Sequence, residues 1–199
     1  MKKKESTFVN MLASLVVITV ISGFSLGFVN DLTSGPKARA RLERKIKALK
    51  LVLPAFSNNP VEQVKTVKSD RVKDSMEIYP AADNNRYVGT AVIGSSDKGF
   101  SGTVKLMVGF KPDGTINNIV ILEQKETPGL GTKMKDEKFI NQFRDKNPET
   151  FVLKVKKDGG DVDALTGATI SSRAFDEAVQ IAYDAFLANK DSTKISEKE

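Results

Sequence analysis

A long uncharged stretch at the start of the chain most restricts how it can fold. Residues 6–30 are 25 consecutive residues without a charged side chain, and most of them are apolar. About 20 such residues span a bilayer as a helix. A cleaved signal peptide has a shorter apolar region and a small-residue cleavage site. Here the Ala-x-Ala at 38–40 lies far downstream and contains Arg39, so the pattern favours an uncleaved N-terminal anchor.

Basic charge is concentrated just after this stretch. The formal charge is +6, and residues 36–50 alone hold seven basic residues and one acidic residue. Residues 51–199 hold 21 basic and 22 acidic residues and are close to neutral. A nucleic-acid-binding domain carries its charge on the folded body, so we expect no nucleic-acid partner. Because basic residues lie on both sides of the anchor, the positive-inside rule does not decide its orientation.

The residue types that are missing exclude most kinds of catalytic and metal site. The sequence has 0 Cys, 0 His and 0 Trp. His-containing triads, thiol nucleophiles, zinc fingers and cysteine-ligated iron–sulfur clusters are therefore excluded. We expect no catalytic residue and no metal site of the chain's own. Difficult chemistry would have to come from a bound cofactor.

Hydrophobic periodicity predicts an α+β fold behind the anchor. After Gly35-Pro36, residues 37–53 show helical spacing of apolar side chains, and Pro54 ends the segment. Residues 111–114 form a turn signal between two alternating runs, which predicts a β-hairpin over 102–122. The predicted strands are Met76–Pro80, Tyr87–Ile93, Gly102–Phe110, Ile116–Leu122 and Phe151–Val155. The predicted helices cover residues 135–145 and Ile170–Leu187.

Two loops have compositions that suggest more than a connection. Residues 126–133, Glu-Thr-Pro-Gly-Leu-Gly-Thr-Lys, follow a strand directly. Pro128-Gly129 suits a type II turn, and Gly131 lets the backbone approach another group closely. The pattern fits a Gly-rich turn as well as a binding loop, and it is neither a Walker A loop nor a GxGxxG fingerprint.

The second loop, residues 163–173, directly precedes the last predicted helix. Four hydroxyl side chains cluster there around Gly167 and Ala168. Free N–H groups and the helix dipole at such a position favour an anion such as phosphate. One hydroxyl is enough for an ordinary N-cap, so the loop fits a cap as well as a phosphate site.

Both loops resemble motifs of one family. Residues 165–172, Leu-Thr-Gly-Ala-Thr-Ile-Ser-Ser, resemble the (Ser/Thr)-Gly-Ala-(Ser/Thr)-x-(Ser/Thr) motif of covalent FMN-binding domains. Residues 126–133 resemble the Glu-Thr-Pro-Gly-Leu-Gly signature found in the G subunit of the Rnf electron-transport complex and in the C subunit of the sodium-pumping NADH:quinone reductase. The single span and Gly-Phe-Ser-Gly at 99–102 also match. The length after the span fits the G subunit of Rnf better. Relatives often carry His at the position of Gln124, which is a departure.

The resemblance implies a site for FMN. The hydroxyl of Thr169 would carry the cofactor through a phosphoester bond made by a separate flavin transferase. Loop 126–133 would face the isoalloxazine ring, where Lys133 is either a cation near the flavin or an ordinary surface lysine. Around Thr169, the implied binding residues are Leu165, Thr166, Gly167, Ala168, Ser171, Ser172, Glu126, Thr127, Leu130, Gly131 and Lys133.

The resemblance also implies the setting of the protein. It implies an electron-transfer subunit with other Rnf subunits as partners, in a complex that passes electrons between ferredoxin and NAD and moves sodium or protons. No independent substrate turnover is expected, and the FMN domain would lie outside the bacterial inner membrane. The expected parts are a cytoplasmic tip and anchor at 1–30, a basic amphipathic linker helix at 31–54, the FMN-binding domain at 55–188 and a polar tail at 189–199.

Three alternatives to this assignment stay open. The first is a membrane-anchored binding or assembly module without flavin, since conventional catalytic residues are missing. The second is a subunit of a quinone reductase, and the third is a free-standing extracytosolic reductase subunit.

Overall fold

A long N-terminal helix and an α+β domain make up the chain. The computed structural model describes residues 7–67, 76–84 and 86–193. Backbone contacts divide the chain into two compact units, with the boundary between Glu43 and Arg44.

Helix α1 (Phe8–Val52) contains the uncharged stretch. Its most apolar 18-residue window has a mean hydropathy of 2.3 and no buried residue, so the helix is long and apolar enough to cross a membrane. The helix predicted over 37–53 is confirmed to residue 52, but its expected separate start after Pro36 is wrong, because α1 runs through Pro36 without a break. Proline removes one backbone hydrogen bond, and the good helix formers that follow it continue the helix. The end of α1 at Val52, just before Pro54, agrees with the prediction.

A five-stranded antiparallel sheet forms the centre of the domain. Neighbouring strands follow one another in sequence, and the strands are β1 (Lys65–Val67), β2 (Met76–Asp83), β3 (Arg86–Ser96), β4 (Val104–Phe110) and β5 (Ile116–Glu123). The predicted hairpin is confirmed as β4 and β5, whose turn is closed by a 2.8 Å hydrogen bond from the Lys111 N–H to the Thr115 carbonyl. Gly114 in this turn has a φ of +93°, which an L side chain rarely adopts.

Helical segments follow the sheet. A 3-10 helix (Gly131–Lys135) and the short helix α2 (Glu137–Ile140) replace the longer helix predicted over 135–145. Helix α3 (Thr169–Thr193) extends the predicted C-terminal helix at both ends. The predicted tail therefore begins as helix, and its residues 194–199 lie outside the described residues.

The strand predicted at Phe151–Val155 is absent from the described fold. The chain reverses through a 3-10 helix (Lys156–Asp158), and Val155 forms only an isolated parallel bridge with Val162. The Asp161 N–H donates to the Val152 carbonyl at 3.1 Å. Because the backbone pairs with itself across this reversal, the segment does not extend the sheet.

Two strand glycines allow helices to pack closely on both faces of the sheet. A Cβ on Gly109 in β4 would lie 1.9 Å from the Val52 carbonyl oxygen in α1. A Cβ on Gly94 in β3 would lie 2.1 Å from the Ala178 carbonyl oxygen in α3. The end of α1 thus covers one face and α3 covers the other, each with its own buried apolar cluster. This packing fixes the start of α3 beside the loops that follow β3 and β5.

Candidate functional site

The start of α3 places a partly exposed threonine at the centre of the sequence motif. Thr169 is the first residue of α3 and is partly exposed. Thr166 and Gly167, just before it, are exposed, whereas Ala168 is buried. Gly167 has a φ of +74°, so the turn into the helix needs a residue without a Cβ. The first N–H groups of a helix have no acceptor within the helix, so Thr169 lies at a place that suits an anion.

The next two hydroxyls point into the protein. Ser171 and Ser172 are buried. The Ser172 hydroxyl accepts the Leu165 N–H at 2.9 Å and donates to the Ala168 carbonyl at 3.1 Å. These contacts hold the motif loop in its turn. Of the predicted hydroxyl residues, Thr166 is exposed and Thr169 is partly exposed, while the two buried serines support the loop from within.

Glu126 joins the two motif loops. Its side chain is only 4% exposed, and its Oε2 accepts a hydrogen bond from the Ser171 hydroxyl at 2.6 Å. Its Oε1 accepts the Ser101 N–H at 3.2 Å. The Glu126 N–H in turn donates to Gln124 Oε1 at 2.6 Å. Gln124 thus helps shape the loop.

Glycines make this junction possible. A Cβ on Gly131 would lie 2.6 Å from the Ser171 Oγ and 2.8 Å from the Glu126 Oε2. A Cβ on Gly99 would lie 2.6 Å from the Glu126 Oε1. Any larger residue at either position would therefore push the carboxylate away from its donors. We call the contacts of Glu126 with Ser101 and Ser171 the Glu126 junction.

In the rest of loop 126–133, Gly131 is buried, Thr127 and Thr132 are half-buried, and the remaining residues are exposed. The Leu130 N–H donates to the Thr127 carbonyl at 3.2 Å, and Gly129 has a φ of +77°, as the predicted type II turn requires. Lys133 is exposed. Leu130 is 43% exposed, and its Cδ2 would lie 3.3 Å from a Cβ on Gly167. The tip of this loop therefore lies next to the motif before α3.

A groove of about 890 Å³ lies between α3, the end of β3 and residues 153–158. The residues that line it include Lys98, Leu153, Asp158, Arg173, Asp176 and Gln180. The guanidinium of Arg173 pairs with the Asp158 carboxylate, with N–O distances of 2.7 and 2.8 Å. Hydrogen bonding to Arg173 lowers the pKa of Asp158. We call this cavity the α3 groove.

Asp176 is a buried carboxyl group in the wall of the α3 groove. It is 2% exposed, and neither of its oxygens has a hydrogen-bond partner among the described residues. Burial, with a further contribution from the negative charge of Asp158, raises the pKa of Asp176 to about 8. The side chain is therefore mostly neutral at neutral pH.

The structure brings together most of the residues that the sequence singled out. The two loops meet through the Glu126 junction, with Thr169 and Leu130 on its outer side. Sequence reasoning missed Ser101 and Asp176. Gly-Phe-Ser-Gly at 99–102 was a usable signal for Ser101. Asp176 stands between Phe175 and Glu177 on a helix, and nothing in that pattern marks it as buried.

Comparisons with known proteins identify the domain. Residues 99–184 match the family model described as an FMN-binding domain. The chain is 28% identical over 183 residues to the G subunit of the Na(+)-translocating ferredoxin:NAD(+) oxidoreductase complex of Acetobacterium woodii, covering 86% of this chain and 88% of the relative. The fold resembles the crystal structure of Shewanella oneidensis NqrC, with a TM-score of 0.50 and 23% identity over 68% of this chain and 70% of that one.

A further relative establishes the family. The G subunit of the ion-translocating oxidoreductase complex of Cereibacter sphaeroides is 32% identical over 168 residues, covering 80% of this chain and 75% of the relative. The matched FMN-binding domain contains both motif loops and most of the residues that line the α3 groove. The chain belongs to the family of G subunits of ion-translocating oxidoreductase complexes.

Proposed function

We propose that this protein is an electron-transfer subunit that carries FMN on Thr169, in a membrane-bound ferredoxin:NAD oxidoreductase complex that translocates sodium or protons. The observation that carries the proposal is the partly exposed Thr169 at the start of α3, beside a loop that contacts α3 through Glu126. The family assignment supports the same conclusion.

The residues at Thr169 fit the phosphate end of FMN. The hydroxyl is at the first residue of a 25-residue helix, where the free N–H groups and the dipole favour a phosphate. Exposed Gly167 and small Ala168 leave room for a modifying enzyme. In the modification, the Thr169 oxygen would bond to the FMN phosphorus of FAD, the pyrophosphate bond would break and AMP would leave. A flavin transferase with a divalent metal would supply this reaction.

The surrounding residues would hold and border the cofactor. Bound FMN would supply the chain's capacity to accept and pass on electrons. The Glu126 junction fixes the loop of Thr127 and Leu130 beside the motif, so these residues are candidate contacts of the flavin. Lys133 is exposed, and its positive charge would favour negative charge on a nearby group.

The setting follows from the relatives and from α1. The Acetobacterium woodii relative is named as part of a Na(+)-translocating ferredoxin:NAD(+) oxidoreductase complex. The other subunits of such a complex are therefore the proposed partners. Helix α1 would anchor the chain as a single-pass protein of the bacterial inner membrane, with the FMN domain on the periplasmic side. A covalent bond would keep the cofactor from being lost there.

Covalent flavin on a denaturing gel tests the proposal. The full chain is co-expressed with a flavin transferase, and the gel is examined for flavin fluorescence together with the intact mass of the protein. We expect a fluorescent band in the wild type, its complete loss in Thr169→Ala and its retention in Thr150→Ala. Thr150 is a control because it is an exposed threonine outside both motif loops.

Two results would contradict the proposal. Fluorescence that survives Thr169→Ala would place the flavin elsewhere. A wild-type mass equal to that of the bare chain, in the presence of active transferase, would instead favour an anchored binding or assembly module.

A further inference from the structure

The starting observation is a group of basic side chains that follows the uncharged stretch on the same helix. Lys37, Arg39 and Arg41 lie in α1, seven to eleven residues after Asn30, where the uncharged stretch ends. All three side chains are exposed. They belong, like the uncharged stretch, to the first compact unit of the chain, which ends at Glu43. We call Lys37, Arg39 and Arg41 the basic cluster.

No acidic residue in the described part of the chain neutralises the basic cluster. None of its three members forms an ion pair within residues 7–67, 76–84 and 86–193. Glu43 lies four residues after Arg39, a spacing that allows a pair on a helix. The two side chains nevertheless make no such contact. The positive charge of the basic cluster is therefore available to a partner outside the chain.

The distance along α1 brings the basic cluster within reach of lipid headgroups. The helix rises about 1.5 Å per residue, so Lys37 lies about 10 Å beyond Asn30. The headgroup layer of a bilayer adds about 5–7 Å to the hydrocarbon core on each side. The Cα–Cβ bonds of a helix tilt toward its N-terminus, which here is the side of the uncharged stretch. The long basic side chains therefore lean back toward the headgroups, as such residues do near the ends of membrane-spanning helices.

The distribution of the three charges around α1 suits lipids better than a protein partner. Lys37 and Arg41 are four residues apart and share one side of the helix, whereas Arg39 points to the opposite side. A protein partner docks on one side of a helix, but lipid headgroups surround a helix that leaves the bilayer. Guanidinium and ammonium groups both bind phosphate oxygens. The phosphate of an anionic phospholipid is thus the group that fits this arrangement.

We propose that Lys37, Arg39 and Arg41 bind the phosphate groups of anionic phospholipids in the leaflet from which α1 emerges. This inference rests on the part of the proposed function in which α1 spans the membrane, and it does not depend on FMN or on the orientation of α1. The contact enriches anionic lipids around the helix and fixes its depth in the bilayer. Each basic residue near an anionic membrane surface favours such a contact by about fivefold.

The absence of tryptophan from the sequence allows a specific fluorescent probe. Phe28→Trp replaces one exposed aromatic residue with another near the end of the uncharged stretch. The full chain with this change, made without flavin transferase, is the probe protein. It is placed in bilayers that mix phosphatidylcholine with phosphatidylglycerol, and one or the other lipid carries bromine atoms that quench tryptophan on contact. The ratio of the two quenching efficiencies measures how strongly phosphatidylglycerol is enriched beside the helix.

We expect phosphatidylglycerol to be enriched by about three- to fivefold beside the helix of the probe protein. Adding Lys37→Gln, Arg39→Gln and Arg41→Gln should reduce this enrichment to a ratio of about 1, because the neutral side chains no longer attract the phosphate. A matched control removes the same number of exposed positive charges from the α+β domain and should keep the enrichment. Its substitutions are Lys135→Gln, Lys138→Gln and Lys157→Gln.

Several outcomes would overturn the inference. Equal quenching by the two lipids in the probe protein is one of them. Another is an equal loss in the control, since overall charge would then attract the lipid. Loss of the enrichment on adding inorganic phosphate at constant ionic strength would assign the basic cluster to the free anion instead. A probe that neither brominated lipid quenches would overturn the anchoring role of α1 itself, whereas none of these outcomes touches the proposed flavin site.

A second measurement needs no change in the basic cluster. Because its side chains are exposed, salt should screen their charge, with a Debye length of about 10 Å at 0.1 M and about 3 Å at 1 M. We expect the enrichment in the probe protein to fall toward a ratio of about 1 as salt is raised across this range. An enrichment that salt leaves unchanged would overturn the inference even if the triple variant failed to insert into the bilayer.

Discussion

Glu126 and Asp176 are both buried carboxyl side chains beside the first turns of α3, with exposures of 4% and 2%. Glu126 accepts hydrogen bonds from Ser101 and Ser171, on two other segments. Asp176 has no partner on either oxygen among the described residues and lines a cavity. Glu126 is thus hydrogen-bonded to donors of the fold, whereas Asp176 has no hydrogen-bond partner among the described residues.

The two residues therefore differ in what burial of the carboxyl group does for the fold. A carboxylate whose donors are all in the protein stabilises the arrangement of its loops, and its removal leaves those donors unpaired. A neutral carboxyl group without hydrogen-bond partners does not stabilise the flavin-free fold in this way. Replacing Glu126 and replacing Asp176 should therefore have different effects on stability.

Glu126→Ala should destabilise the domain by about 3 kcal/mol, because two hydrogen bonds to a buried carboxylate are lost and the buried Ser171 hydroxyl is left without its acceptor. To keep both proteins free of flavin, Glu126→Ala is made in the Thr169→Ala protein. Chemical unfolding with and without Glu126→Ala then measures this change. Glu123→Ala removes an exposed glutamate at the end of β5 and should change the stability by less than about 0.5 kcal/mol. Equal losses in the two variants would remove the distinction drawn for the Glu126 junction.

Asp176 should make the flavin-free protein less stable as the pH rises. Its folded pKa of about 8 lies above the ordinary value of 3.8, so between these values the folded state holds a proton that the unfolded state has released. The free energy of unfolding then falls with pH, by up to about 1.4 kcal/mol per pH unit, and levels off above the folded pKa.

Unfolding measurements between about pH 5 and 8 isolate this slope, because the carboxyl groups with lowered pKa values, such as Asp113 and Asp158, titrate below that range. Asp176→Asn should flatten the slope, and Asp136→Asn, which replaces an exposed carboxylate, should keep it. A slope that persists in Asp176→Asn would show that another group binds the proton.

Asp158→Asn should shift the same titration slightly. Removing a negative charge that raises the Asp176 pKa, and releasing Arg173 from its partner, both favour the ionised form of Asp176. We expect the midpoint of the stability profile to move to lower pH by less than about one unit. An unchanged or higher midpoint would mean that burial alone sets this pKa.

The sequence was most informative where one segment determines its own structure. The β4–β5 hairpin follows from alternation and the turn at Lys111–Gly114, which are local properties. The apolar run at Phe151–Val155 looks like a strand, but whether it joins a sheet depends on the reversal that follows it. Likewise, Pro36 suggested a helix boundary, but the helix formers that follow it continue α1.

At the candidate site too, sequence reasoning fails where the structure depends on contacts between residues that are distant in sequence. Motif resemblance marked both Glu126 and Ser171, but their contact joins residues 45 positions apart and follows from how α3 packs on the sheet. The inward direction of Ser171 and Ser172 depends on that packing too. Asp176 could not be found from sequence, because a charged residue on an amphipathic helix is ordinarily exposed. It lines a groove whose other wall includes Leu153 and Val155, far from it in sequence.

The last turns of helix α1 determine where a protease can cleave the chain and still leave the domain folded. Its last turns provide Leu49 and Val52 to a buried cluster that also contains Ala91 and Met107 of the sheet. Proteolysis between residues 31 and 43 would release a domain that keeps this cluster whole. Proteolysis after Leu53 would uncover one face of the sheet, and exposed apolar surface of that kind promotes aggregation. The position of the cleavage site thus determines whether the released domain stays folded or aggregates.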